Sequence, residues 1–379
     1  MTMYPKVDFV ITARPSWSRV KNLILEFVKL EGNSSARITL LGSAISDRYG
    51  DIRNQIPLGI ELKVFDTFNG NENLFSVVKT SIDGARSLSQ NWQSNPSGSV
   101  LVIADRTETL GVSLAASTMQ IPLIHLQGGE ESGSIDNKIR AANSKLADLH
   151  LTTNELSANN LIKIGEQISN IEIIGCPSVD LAFERLHLGT PPKPYSELYG
   201  GVGTNFSSNQ DYGIIMFHPD TLNLSESNLW IDNIFEMAND SELNWFWFWP
   251  NIDYGGESLA KKLRAKRENT KVDNIRFLKN IKPEEFMDLA IQSKLIVGNS
   301  SFGIREANSL GLPALNVGTR QNNRQRGNNV FDVKAPANLK EIVLKLSNTR
   351  FPTSYLYGNG DAAKKGAIIL SKWTPALKG

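Results

Sequence analysis

A short apolar run, a turn and then an amphipathic stretch recur along this chain, and no other feature narrows its fold as much. Residues 7–11 read as a buried strand, and Pro15 then opens a helix whose apolar face is Val20, Leu23, Ile24, Phe27 and Val28. Further β-branched-rich strands are read at residues 37–41, 100–104, 123–126 and 171–174. Segments of helical period, such as 107–118 and 137–147, separate them. Strands joined by helices run parallel, so this half is expected to be a mostly parallel sheet covered by helices.

Between Gly175 and Asp211 the pattern lapses. Gly189, Pro191, Pro192, Pro194, Gly200, Gly201, Gly203, Ser207 and Ser208 collect there, which reads as an interdomain connection. A second alternation follows, with strands at 213–217, 245–249, 275–278, 295–297 and 314–316, and helices at 225–238, 257–267, 283–291, 301–310 and 338–346. At 379 residues the chain is about two to three typical domains long. The expectation is α/β, with two doubly wound domains. Residues 1–180 form the first, with a C-terminal helix at 361–379 packing back on it, and residues 181–360 form the second. Two such halves are expected to form a cleft at the carboxyl ends of their strands, where open α/β sheets bind ligands.

Composition closes off other classes. With 40% hydrophobic and 21% charged residues the chain is not disordered. A net charge of +1 supplies no field for a nucleic-acid backbone or an anionic membrane, so an anionic ligand must be held locally. The single cysteine, Cys176, rules out an internal disulfide and any zinc site of several thiolates, and a reducing cytoplasm is its natural setting. Lys6, Asp8 and Arg14 interrupt the amino terminus too often for a signal peptide, and no apolar run approaches the ~20 residues that span a bilayer.

The chemistry-bearing residues follow the strands. Gly298-Asn-Ser-Ser301 is a turn with paired serines at a helix start, where free amides and hydroxyls suit a diphosphate; a plain serine N-cap would look the same. Glu306, five residues past Ser301, can accept two ribose hydroxyls or be a solvated helix charge. Asp105, Arg106 and Glu108 follow the strand at 100–104, as ligand groups or as a loop ion pair. The segment from His125 to Arg140 gathers glycines, Glu130, Asp136 and Arg140, where two carboxylates can converge on one ligand or Asp136 can simply pair with Arg140. His218 before Pro219, and Trp249-Pro-Asn251, end two further strands. The aromatic block 245–249 reads as core, and Arg320, Arg324 and Arg326 as a phosphate-holding cluster or a solvated loop.

Taken together, these motifs resemble the hydrolysing UDP-N-acetylglucosamine 2-epimerases, relatives of the non-hydrolysing 2-epimerases and of glycosyltransferases with the GT-B fold of two Rossmann-like domains. The resemblance spans nearly the whole chain. It rests on Thr12-Ala-Arg-Pro15, Ala104-Asp-Arg106, Gly128-Gly-Glu-Glu-Ser-Gly-Ser-Ile-Asp136, Gly175-Cys-Pro-Ser-Val-Asp180, Phe217-His-Pro219, Trp249-Pro-Asn-Ile-Asp253, Gly298-Asn-Ser-Ser301 and Val317-Gly-Thr-Arg-Gln321. It implies a UDP-sugar substrate, with UDP on the second domain. Arg14, Ser18, Arg106, Arg140, His218, Asn251, Ser300, Ser301 and Arg320 are then expected around phosphates and sugar, Glu306 on the ribose, and Asp105, Glu130 and Asp136 as the catalytic carboxylates. No metal or redox cofactor is implied. Self-association into a homo-oligomer is left open.

The implied reaction is anti elimination of UDP across C1 and C2, then hydration of the glycal to a free 2-epimeric sugar of mannosamine type, feeding a nonulosonic acid or a surface polysaccharide. The C2 proton is scarcely acidic until the C1 bond has largely broken, so cationic groups must receive the leaving diphosphate while carboxylates stabilise the ring cation and move protons. Three positions depart from the resemblance. Ala44, in Gly42-Ser-Ala-Ile-Ser-Asp-Arg-Tyr-Gly50, stands where histidine is often found; Gln127 replaces glutamate or histidine; Ala141 replaces the histidine after Arg140. Gln127 cannot act as a base, so that role passes to Glu130 or Asp136.

Overall fold

The computed structural model describes residues 4–47, 51–70, 73–189, 191–251, 253–336 and 338–375. Residues 48–50 of the Gly42 motif, Ile252 of the Trp249 motif and the last four residues of the helix expected at 361–379 lie outside the described residues. The chain forms two compact units. Unit 1 comprises Met1–Glu131, Ile135–Asp180 and Gly358–Gly379, and unit 2 comprises Ser132–Ser134 and Leu181–Tyr357.

Unit 1 is built on β1 (Val7–Ile11), β2 (Ala36–Leu40), β3 (Glu61–Val64), β4 (Val100–Ile103), β5 (Leu123–Leu126), β6 (Leu149–Thr152) and β7 (Ile171–Ile173). They lie in the order β3-β2-β1-β4-β5-β6-β7, every pair parallel. Phe9 and Ile11 pack on one face with Val20, Leu23, Phe27, Ala367 and Leu370. Val10 packs on the other with Leu88, Trp92, Val102 and Val112. Burial of both faces explains why these strands are continuously apolar. The C-terminal helix, Ala362–Lys372, gets no cap from its own Asp361. Asp180 supplies it, accepting the N–H groups of Ala362 and Ala363 at 3.0 and 2.7 Å. Burial pushes the Asp180 carboxyl up to about 6 against the pull of these two bonds.

One long helix of unit 1, Leu74–Ser94, is absent from the sequence reading, for a physical reason. Its buried face carries Thr80, Gly84, Leu88 and Trp92, while Leu74, Phe75, Val78 and Ile82 are exposed. The apolar pattern therefore marks the wrong face.

Unit 2 has β8 (Val202–Gly203), β9 (Tyr212–Met216), β10 (Asn244–Phe248), β11 (Ile275–Leu278), β12 (Ile296–Gly298), β13 (Ala314–Val317) and β14 (Val330–Val333). Their order is β14-β13-β12-β9-β10-β11-β8, parallel except for β8 against β11. The aromatic block is core on both faces: Trp245 and Trp247 join one cluster, Phe246 and Phe248 the other.

The expected bare connection at 175–211 is corrected. Pro177–Leu188 is a helix, with Arg185 held by both oxygens of Asp288 at 2.7 Å. In the glycine-rich part, the buried Arg276 donates to the carbonyls of Ser196, Gly200 and Gly203, which satisfies three backbone acceptors there. The helix expected at 301–310 is also corrected: it is two four-residue pieces, Ser301–Ile304 and Glu306–Ser309, broken at Arg305.

Candidate active site

In unit 1 the strand order reverses between β1 and β4, the position where open α/β sheets leave a crevice at the strand ends. Arg14 opens the helix that follows β1. Ser18 sits one turn on, its hydroxyl donating to the Arg14 carbonyl at 3.4 Å. Asp105 and Arg106 follow β4, and Arg106 reaches Glu108 at 3.3 Å.

Both β4 and β5 end in a residue of left-handed conformation that is not glycine, Ala104 at φ 56° and Gln127 at φ 66°. Such strain persists only where surrounding contacts enforce it. Beyond these turns stand Asp105 and Glu130, and Asp136 opens the helix Asp136–Leu146 that carries the buried Arg140. Its guanidinium donates to Asp105 Oδ2, to the Glu130 carbonyl at 2.7 Å and to Asn137 Oδ1 at 3.4 Å. Burial opposes its charge, but the carboxylates of Asp105, Glu130 and Asp136 outweigh burial and hold Arg140 above its ordinary value. Arg140, expected on the substrate, makes these hydrogen bonds to its own unit. Glu130 is buried and accepts from Thr153 Oγ1 at 3.0 Å, and Thr153 is one residue the sequence reading missed.

The three departures have separate fates. Ala44 is part of the apolar core. Gln127 is buried and donates to Cys176 Sγ at 3.1 Å. Ala141 is exposed.

In unit 2 the order reverses between β9 and β12. Gly298, at φ 141°, permits a close approach there: a Cβ on it would lie 2.0 Å from the Met216 carbonyl. Asn299, overlooked in the sequence, then ties the two strand ends together. Its Oδ1 accepts the His218 N–H at 2.8 Å, its Nδ2 donates to the His218 carbonyl at 2.9 Å, and its own carbonyl accepts from Arg320 at 3.2 Å and Gln321 at 2.8 Å. His218 Nδ1 accepts the Asn251 N–H at 3.2 Å, so the neutral ring carries its proton on Nε2. Burial first, and the charge of Arg320 second, lower the His218 imidazole to about 3. Asp253 accepts from Asn251 Nδ2 at 2.6 Å and from Arg320 at 3.4 Å, placing these two side chains together.

Ser300 accepts the Phe302 N–H as an N-cap, and Ser301 Oγ accepts from Arg305 at 3.0 Å. Because the turn after them is a single one, the dipole expected from a ten-residue helix is not available, and anion affinity falls to the local donors. Glu306 is buried with its Oε2 lacking a hydrogen-bond partner, as is Asn251 Oδ1. Of the arginine cluster, Arg326 is structural: it grips Asp332 at 2.9 and 3.0 Å and the carbonyls of Gln321 and Arg324 at 2.6 and 2.7 Å. Gly133 donates to the Arg320 carbonyl at 3.1 Å, and a Cβ on it would lie 2.0 Å from the Thr319 carbonyl.

Among the described residues, no three or more His, Cys, Asp or Glu side chains are grouped to hold a metal ion, and no helix is long and apolar enough to cross a membrane.

Comparison with known proteins adds identity to this geometry. A Legionella pneumophila UDP-N,N'-diacetylbacillosamine 2-epimerase (hydrolyzing) is 31% identical over 269 residues, 70% of this chain and 68% of that protein. A Neisseria meningitidis UDP-N-acetylglucosamine 2-epimerase is 34% identical over 61% of this chain and 58% of its own length. The crystal structure of Methanocaldococcus jannaschii UDP-GlcNAc 2-epimerase in complex with UDP-GlcNAc and UDP matches with a TM-score of 0.78 at 17% identity, covering 96% of this chain and 99% of that one, which shows a shared GT-B-like α/β fold. The profile of the UDP-N-acetylglucosamine 2-epimerase family matches residues 28–371, and the chain belongs to that family.

Proposed function

We propose that this protein is a hydrolysing UDP-HexNAc 2-epimerase, releasing UDP and a free mannosamine-type sugar. The observation that carries the reading is the placement of Asp105 and Glu130 just past two strand-end turns of left-handed backbone, with the buried Arg140 donating to the Asp105 carboxylate and to the Glu130 carbonyl. Carboxylates so placed can stabilise the oxocarbenium-like transition state of a sugar losing UDP.

In this reading unit 2 receives the nucleotide. His218 Nε2–H, Ser300, Ser301 and Arg320 take the diphosphate, and ribose hydroxyls satisfy Glu306 Oε2, whose lack of a donor costs about 1–3 kcal/mol. Unit 1 acts on the sugar. The C1–O bond breaks and its electron pair leaves with UDP; Glu130 or Asp136 takes the C2 proton, the C–H pair forms the C1=C2 bond, and Asp105 faces the positive charge that passes through the ring. Water then adds its oxygen at C1 while a proton returns to C2 from the opposite face. The names of the Legionella relative, of a Campylobacter jejuni GDP/UDP-N,N'-diacetylbacillosamine 2-epimerase (hydrolyzing) and of an Escherichia coli polysialic acid biosynthesis protein support a free amino sugar destined for a surface nonulosonic acid.

The test is incubation with UDP-GlcNAc and with UDP-diacetylbacillosamine in deuterated water, followed by NMR. Free sugar inverted at C2 and carrying deuterium there is expected. A product still joined to UDP would indicate a non-hydrolysing epimerase, and UDP release only with an acceptor a glycosyltransferase. Binding without turnover of any UDP-HexNAc would leave a nucleotide-sugar binding protein.

A further inference from the structure

His125 lies on β5 and is fully buried, with both ring nitrogens engaged. Nε2 lies 2.8 Å from the Ala104 carbonyl and Nδ1 lies 3.0 Å from Ser144 Oγ. A carbonyl only accepts, so Nε2 carries the proton and the serine hydroxyl donates to Nδ1. The ring therefore has nothing left to offer a substrate. Asn143 Nδ2 adds a second donor to the Ala104 carbonyl at 3.4 Å and also reaches Thr109 Oγ1 at 2.7 Å. Thr109 Oγ1 in turn donates to the Arg106 carbonyl at 2.6 Å.

The two carbonyls so held belong to the residues on either side of Asp105. Ala104 is also the residue forced to φ 56°, a left-handed conformation that a Cβ disfavours. We propose that His125 is a positioning residue: with Asn143 and Thr109 it clamps the backbone on both sides of Asp105 and holds the left-handed turn that aims its carboxylate. This rests on the assignment of Asp105 to the chemistry.

A merely structural histidine and a positioning one differ in what their loss does. For His125→Leu, kcat for UDP release from a UDP-HexNAc is expected to fall about 100-fold, the scale of a misplaced reacting group, while KM and UDP affinity stay within about threefold. His125→Gln, which keeps a donor near Nε2, should recover most of the lost rate with the wild-type shape of the pH profile. Equal losses in both variants, or a loss confined to thermal stability with kcat unchanged, would overturn the assignment. A wild-type enzyme inactive on every UDP-HexNAc would instead overturn the proposed activity. The clamp is then decided by a crystal structure of His125→Leu, in which residue 104 should leave positive φ and Asp105 should leave Arg140. An unaltered turn would refute it.

Discussion

The two sets of strand ends are built on opposite plans. In unit 1 the charged groups are tied to one another: Arg140 donates to Asp105 and to the Glu130 carbonyl, Glu130 accepts from Thr153, and the backbone around Asp105 is held by buried side chains, although Asn143 Oδ1 there keeps no partner. In unit 2 the framework is equally well tied through Asn299, yet buried acceptors at Glu306 Oε2 and Asn251 Oδ1 are left without donors. A closed network fixes positions before substrate arrives. An open one can be completed by a ligand, and the difference is the one the proposed function asks of a carboxylate site and a nucleotide site.

The largest effect should come from opening the closed network. Arg140→Met leaves the Asp105 carboxylate facing an apolar side chain, and loss of one partner of a buried ion pair typically costs about 3–5 kcal/mol. Urea unfolding should show a loss of that size. A loss below about 1 kcal/mol would mean that the cluster is not held by its cation. Next comes Asp105→Asn, which keeps the shape and removes the charge. Its kcat should fall about 10²- to 10⁴-fold, the usual share of one acid–base or charge-stabilising group, with UDP affinity unchanged by calorimetry. A matching loss of UDP affinity would break the division of labour between the units. In unit 2, Glu306→Ala should weaken UDP by about 1–3 kcal/mol while leaving the free protein no less stable, because the buried acceptor it deletes has no partner there and its removal relieves a desolvation cost. UDP binding at wild-type strength would remove Glu306 from the ribose.

How much of this the sequence displays depends on the kind of information involved. Strand ends are legible because a buried parallel strand is a continuous apolar run, so Asp105, Glu130, His218 and Ser300 can be placed at carboxyl ends from pattern alone. The break at Arg305 is not legible, since residues 301–310 keep an acceptable helical composition and the kink is set by packing. Nor is the Leu74–Ser94 helix, whose first turns bury Thr80 and Gly84 while exposing Leu74, Phe75, Val78 and Ile82, against the expected pattern. Asn299 lies inside a motif noted for its serines, but its four hydrogen bonds join segments 21 to 81 residues apart, a separation no local spacing encodes. The role of Arg140 is hidden likewise: an arginine four residues after Asp136 reads as a helix pair, whereas its hydrogen bond runs to Asp105, 35 residues away.

The smallest effect is also the sharpest contrast. His125 in unit 1 and His218 in unit 2 are both lowered to about 3 from the ordinary 6.5, chiefly by burial. In the unfolded chain each takes up a proton near pH 6.5, while the folded chain refuses it until about pH 3. Acid therefore favours unfolding throughout that window, with a limiting slope of about 1.4 kcal/mol per pH unit for each imidazole. At pH 5.5 the contribution is about 1.4 kcal/mol, and His125→Gln or His218→Gln should each flatten the stability–pH curve by that much. Saturating UDP separates the two. A phosphate accepting from His218 Nε2 favours the charged ring and raises its pKa, so UDP should shrink the acid penalty that His218 contributes. His125, sealed between Ser144 and the Ala104 carbonyl, has no access to the anion, and its share should stay unchanged. If UDP altered both shares alike, the two regions would be one coupled network rather than a closed scaffold and an open receptor.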